Sequence, residues 1–307
     1  MAQPLTYRVP AYVNESCFGL CIVERFDDKI PSGSNDLAVE VLHTFPNTTS
    51  PVKLVQFNNQ GITERAVLKL YDRTHPGRIR KFEAAIWYEL DQRHKTELRA
   101  YAQLESMQGT KIPRLYANVR IPLSVIDKGG KATPEEEEFL CIPGLLLQYY
   151  DCRKLSDLQL PGMAQIASGQ LHVTWAGLAQ RAVNAVHEIN DLGILLRNYN
   201  NNAIFKRENG NDEPYIIDFA EAVFKEDLIE AWIKARERRG LAATAYPPWE
   251  RDVDYWETAK NYRNLQAIAD AFCIHLRRHG IRFLGFGLPD YQTIIKEIRW
   301  RALGGAS

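Results

Sequence analysis

The stretch whose reading decides the fold is GILLRNYNNNAIF (193–205), KRENGNDEP (206–214) and YIIDFAEA (215–222). An apolar run enters an Asn-rich loop. Asparagine suits such a loop because it tolerates left-handed backbone and bonds its own main chain. A short strand over Ala203–Phe205 is expected next, then a turn around Gly210 and a second strand over 215–217. That strand ends on an acid and an aromatic, Asp218-Phe219, so a polar loop and a carboxylate sit at the ends of two paired strands.

Working outward, the 307 residues suffice for one large two-lobed unit or two ordinary domains. Hydrophobic content of 45% and charged content of 25% are those of a globular protein with a real core. Lys plus Arg equals Asp plus Glu at 38 each, which argues against an electrostatic nucleic-acid binder and against a basic membrane-surface protein. No apolar run reaches the roughly 18 residues of a membrane span. The first residues lack a basic start followed by an apolar core, so no signal peptide is expected, and the default location is cytoplasmic or nuclear. Five scattered cysteines read as reduced thiols. Cys17 and Cys21 have no second Cys/His pair nearby, and Cys273 and His275 would point to different faces of a helix, so neither reads as a metal site.

Residues 1–37 are punctuated by Pro and Gly and read as an N-terminal extension. Strands are expected over 37–45, 51–57 and 63–71, then a helix over about 83–108, then strands in IPRLYANVRIPLSVI and FLCIPGLLLQYY. The intervening DKGGKATPEEEE carries four consecutive glutamates and reads as a solvated loop. After Tyr150 the periodicity becomes helical over 171–193, 227–240, 261–280 and 290–303. The implied division is 1–37, 38–148 and 149–307.

Strands, one inserted helix, more strands, a linker, then helices around a short hairpin: this order resembles the protein kinases. The phrasing AVLKLYDR, the spacing ELRAY…IPRLY and the ending IIDFAEA look most like the divergent kinase-like proteins of filamentous fungi. The resemblance covers roughly residues 38–260. It implies an α+β, two-lobed fold with a β-rich N-lobe and a mostly helical C-lobe, and it implies ATP and Mg2+ as ligands. In ERAVLKLYD it makes Lys69 the lysine that meets the nucleotide's α- and β-phosphates. Glu97 is the expected partner of that lysine, since Tyr101 and Leu104 follow at four and seven residues and set Glu97 on an apolar helix face. Glu83 and Glu89 are fallbacks. Gln148, Tyr149 and Tyr150 fall at the hinge whose backbone would bond an adenine edge. Asp218 takes the magnesium-binding position, with Ala220 in place of the usual glycine.

The catalytic letters depart from the pattern. Leu196-Arg197-Asn198 stands for His-Arg-Asp, and Ala203 for the second magnesium ligand, leaving Asn202 one residue early. Asn198 cannot take a proton, and a general base is worth about 10² to 10⁴ in rate. Arg197 still offers a positive charge near the phosphates. The glycine-rich loop is absent: HTFPNTTSPV (43–52) has no glycine, and Thr48, Thr49 and Ser50 offer hydroxyls instead. The helix after Phe219 takes the place of an activation segment, with Thr244 and Tyr246 as the hydroxyls before Trp249. Pro248-Trp249-Glu250 only faintly echoes Ala-Pro-Glu. The first expectation is therefore a pseudokinase that binds ATP–Mg2+ and acts through a protein partner. The alternatives are an active, divergent phosphotransferase with a small-molecule or Ser/Thr acceptor, and an interaction module that binds no nucleotide. Retention of Lys69, Glu97 and Asp218 favours the first two, and loss of the glycine loop favours the third.

Overall fold

The computed structural model describes residues 7–8, 13–46, 48, 50–72, 83–122, 124–125, 141–158, 170–197, 203–208, 211–278, 287–288 and 290–304. The chain divides into two units, Met1–Gly109 with Pro113–Tyr150, and Thr110–Ile112 with Asp151–Ser307. The first is strand-rich and the second carries most of the helices.

The first unit contains β1 (Tyr7–Arg8), β2 (Cys17–Arg25), β3 (Asp36–Phe45), β4 (Val52–Asn59), β5 (Ile62–Leu70), α1 (Glu83–Gln103), β6 (Leu115–Ile121), β7 (Ser124–Val125) and β8 (Ile142–Gln148). Strands β2-β3-β4-β5-β8-β6 close into an antiparallel barrel, and β1 pairs with β7 apart from it. Period-two alternation decides what lies inside. In β5, Ala66, Leu68 and Leu70 face the barrel core with Val39 and Val41 of β3 and Val55 and Phe57 of β4. Val67 and Lys69 therefore face outward. The three expected strands and the helix fall within a few residues of their sequence positions, and a 3₁₀ turn at Glu105–Met107 finishes the helical run.

Residues 17–25, set in the extension by their sequence, form a strand of the barrel. Leu20 and Ile22 of β2 enter the core, and the strand pairs with both β3 and β6. It covers the two sheet edges that would otherwise present unpaired N–H and C=O groups. Gly144 in β8 packs closely against β5 and β6. A Cβ there would stand 3.0 Å from the Lys69 carbonyl oxygen and 3.0 Å from Leu70 Cδ2. Gly144→Ala is expected to cost about 1–3 kcal/mol through this overpacking, seen as a lowered Tm. An unchanged Tm would show that the strands separate freely there.

The second unit runs β9 (Cys152–Lys154), α2 (Gln170–Asp191), β10 (Ile194–Leu196), β11 (Ala203–Glu208), β12 (Asn211–Ile216), β13 (Ala222–Phe224), α3 (Lys225–Glu237), α4 (Pro248–Tyr262), α5 (Asn264–Arg278) and α6 (Tyr291–Ala302). The hairpin β11–β12 forms with Ala203 opposite Ile216, and β9 adds to its open edge. Helix α2 buries Leu178, Ala182, Val186 and Ile189 on one face. It ends before Gly193, whose φ of 84° suits glycine after a helix. The sequence did not mark α4, where aromatic residues do the packing. Tyr255 and Trp256 join Leu195 and Ile295 in a core cluster, and Pro248 sits in the first turn, where its missing N–H costs nothing. The boundary between α4 and α5 is Arg263, left-handed at φ 54°. Residues 261–262, read with the next helix, therefore belong to α4.

Candidate functional site

Lys69 points away from the barrel core toward α1. Its Nζ lies 2.5 Å from Glu97 Oε2, and the Tyr71 hydroxyl donates to that same oxygen at 2.5 Å. Lys69 is 8% exposed, while Glu97 and Tyr71 are at 0%. Glu97 reaches this place because it shares a helix face with Tyr101 and Leu104, both fully buried. One turn earlier, His94 packs edge-on against Tyr71 at 5.1 Å and hydrogen-bonds Asn118 Oδ1 of β6 at 3.1 Å. Burying two charges costs several kcal/mol each, offset only by close geometry and further hydrogen bonds. The Tyr71 hydroxyl supplies one such bond. Glu97 Oε1 is equally buried and meets no hydrogen-bond partner among the described residues. Glu89, a fallback for this role, instead faces solvent beside Arg93; the side chain of Glu83 lies outside the described residues.

At the end of β8 the expected hinge changes in one respect. The Gln148 N–H donates to Arg114 O at 2.8 Å, so it is spent inside the unit and is not among the groups that meet an adenine edge. The Gln148 side chain accepts from the Arg114 N–H at 3.2 Å and from the Tyr150 hydroxyl at 2.7 Å. Tyr149 and Tyr150 are both half-buried. Of the three hydroxyls expected to replace the glycine loop, Ser50 is buried, Thr48 is exposed and Thr49 lies outside the described residues.

In the second unit Asp218 follows β12 in a left-handed conformation, φ 66°, which asparagine and aspartate adopt more readily than other side-chain-bearing residues. Its neighbour Phe219 is fully buried and accepts a hydrogen bond from the Ala222 N–H at 3.0 Å, closing a turn into β13. Strand β13 pairs with β10, Leu196 opposite Ala222. The pairing brings the chain leading into the Asn-rich loop beside the Asp218 turn. Arg197 is exposed, with its guanidinium 5.9 Å from the Tyr262 ring centroid. Asn198 and Asn202 lie outside the described residues.

The sequence did not mark the group that fixes the root of this loop. Asn264, fully buried at the start of α5, accepts from the Leu196 N–H at 2.7 Å and donates to the Leu196 C=O at 2.7 Å. Asn190, also fully buried, donates to Asn264 Oδ1 at 3.1 Å and to Ile194 O at 2.9 Å, and its own carbonyl accepts from the Tyr255 hydroxyl at 2.7 Å. A polar residue at a helix start reads in sequence as a cap, and only the packing reveals the clamp. Burial pushes the Cys152 thiol up to about 12, so it stays protonated near neutral pH. The five cysteines form no disulfide, and among the described residues no cluster of three or more His, Cys, Asp or Glu is placed to hold a metal. Nor is any described helix long and apolar enough to cross a membrane.

No family model matches the chain, and no curated protein matches it. Among solved structures, the Rio2 kinase-ADP/Mg2+-phosphoaspartate complex from Chaetomium thermophilum is similar at a TM-score of 0.40 and 13% identity, over 87% of this chain and 68% of that one.

Proposed function

We propose that the chain is a protein-kinase-like domain with a degenerate catalytic loop, a pseudokinase that binds ATP with Mg2+ and acts through a protein partner in the cytoplasm or nucleus. The observation that carries this reading is the buried Lys69–Glu97 pair on the outer face of the barrel. A pair bought at such desolvation cost, at the position the kinase resemblance assigns to the phosphate-binding lysine, is poorly explained as stability alone. The run of β3, β4 and β5, then α1, then β6 and β8 supports the same reading, with β2 added to the barrel ahead of it.

The residues present fit the ligands in their chemistry. An ammonium is a compact point charge suited to phosphate oxygens, and Glu97 holds this one in place. Glu97 orients Lys69 for a phosphate oxygen. Asp218 is the metal-ligand carboxylate, and its left-handed backbone is the kind of local strain that accumulates at functional sites. A bound Mg2+ would neutralise phosphate charge, needing few protein ligands when phosphates complete its shell. Asn198 lacks a basic oxygen, so transfer to an acceptor loses the factor of about 10² to 10⁴ that a general base supplies.

The test is thermal unfolding with ATP, with and without Mg2+, for the wild type, Lys69→Met and Asp218→Asn. ATP at 100 times its Kd is expected to stabilise the wild type by about 2.7 kcal/mol, and both variants to lose that shift. A folded wild type with no shift would overturn nucleotide binding. Release of phosphate that disappears in Asp218→Asn would instead favour the active phosphotransferase.

A further inference from the structure

We propose that a cavity at the corner of α4, α5 and α6 binds a free amino acid with an apolar side chain. The site uses none of the residues assigned to nucleotide above and stands independently of that reading.

A tight turn and an aromatic contact build the corner. Arg263, left-handed at φ 54°, ends α4 immediately before α5 begins. Trp256 of α4 meets Tyr291 of α6 with ring centroids 6.1 Å apart. The Tyr291 hydroxyl in turn accepts from the Leu265 N–H of α5 at 3.4 Å. Lys260 follows Trp256 by about one helical turn, so the end of α4 and the starts of α5 and α6 enclose a cavity of about 280 Å³.

Polarity in this cavity is graded with depth. Leu265 is fully buried at the floor, and Leu288 and Tyr291 are half-buried along the walls. Lys260 and Asp290 are exposed at the rim and carry opposite charges. Among the described residues Lys260 forms no ion pair, so its charge is open to a ligand. The Asp290 carboxylate accepts from the Thr293 hydroxyl at 2.8 Å and from the Gln292 N–H at 3.0 Å. These bonds hold its carboxyl below the usual carboxylate range, so it is charged at neutral pH, and each oxygen keeps a lone pair for a further donor. Gln266 donates its side-chain N–H to Asp270 at 2.8 Å, which leaves its carbonyl oxygen as the group it offers the cavity.

Opposite charges on one rim select the occupant. A simple carboxylate gains Lys260 but meets the like charge of Asp290, and a simple amine meets the reverse conflict. A zwitterion satisfies both, its carboxylate on Lys260 and its ammonium on Asp290 and the Gln266 oxygen. The volume lies just below the roughly 300–1,000 Å³ of pockets that take drug-sized ligands, which suits a single amino acid. Leu265, Leu288 and the Tyr291 ring then receive its apolar side chain.

The test is calorimetric titration of the full chain with L-leucine and L-phenylalanine, and with two leucine analogues. The first analogue, 4-methylpentanoate, lacks the ammonium, and the second, 3-methylbutylamine, lacks the carboxylate. The wild type is expected to bind at least one of the amino acids. Each analogue should bind at least about tenfold more weakly than leucine, the scale of one lost charge-assisted hydrogen bond. Lys260→Gln and Asp290→Asn should each weaken amino-acid binding by a similar factor while leaving the ligand-free Tm unchanged. Lys260 is exposed, and asparagine caps a helix start about as well as aspartate, so both variants keep the fold. A folded wild type that binds neither amino acid would overturn the site. So would an analogue that binds as tightly as leucine, or undiminished affinity in both variants.

Discussion

Glu97→Ala is expected to destabilise the protein by about 3–5 kcal/mol, the range for breaking a buried ion pair by removing one partner. The loss has two parts. Lys69, at 8% exposure, keeps a charge with its 2.5 Å counter-ion gone, and the Tyr71 hydroxyl loses the oxygen it donates to. For a chain of this size the change corresponds to a fall in Tm of roughly 5–8 °C. Lys69→Met/Glu97→Leu is expected to recover most of the loss, since replacing a buried pair by apolar residues of similar size is often neutral. The remainder is the Tyr71 hydroxyl, left without its acceptor at about 1–3 kcal/mol. The double variant should fold well and still give no ATP-dependent shift, which separates the pair's part in binding from its part in stability. A single Glu97→Ala variant with a Tm within a degree or two of wild type would mean that solvent reaches the lysine and that the pair is not truly buried.

Where residue pattern and packing carry the same information, the sequence is a good guide. Glu97 was legible because an acid at the spacing of Tyr101 and Leu104 is out of place unless something cationic meets it. The β3–β5 strands were legible from alternation, and the β11–β12 hairpin from apolar runs around a polar turn. β2 was not, because CFGLCIVER sends only Leu20 and Ile22 into the core and includes a glycine. What makes β2 a strand is two waiting edges, a property of the closed barrel rather than of the segment. Helix α4 was obscured by a proline and a run of charged residues, its buried face being built from Val253, Tyr255, Trp256 and Ala259. The Gln148 amide looked available to a ligand because its acceptor, Arg114 O, lies 34 residues away in sequence.

Asn264→Leu should produce the second large effect, and it bears on the loop rather than on the barrel. The side chain is fully enclosed and makes both hydrogen bonds to the backbone of Leu196 while accepting one from Asn190. Leucine has nearly the same shape and none of these groups. It leaves the Leu196 N–H, the Leu196 C=O and one Asn190 proton without that partner, each at about 1–3 kcal/mol. A total near 3–5 kcal/mol is expected, because relaxation and entering water recover part of the sum. Leu196 is the last residue of β10 and Arg197 follows it, so the damage should be local before it is global. Hydrogen exchange at the Leu196 amide should accelerate by more than the change in global stability accounts for, while amides of the barrel strands keep their protection relative to the global transition. If Leu196 exchanges no faster than the rest of its unit, the β10–β13 pairing alone holds the loop root, and Asn264 is a packing residue with satisfied hydrogen bonds. If it exchanges faster and the ATP-dependent shift also shrinks, Asn264 positions the segment that carries Arg197, and the degenerate loop still contributes to ligand binding even though its base is gone.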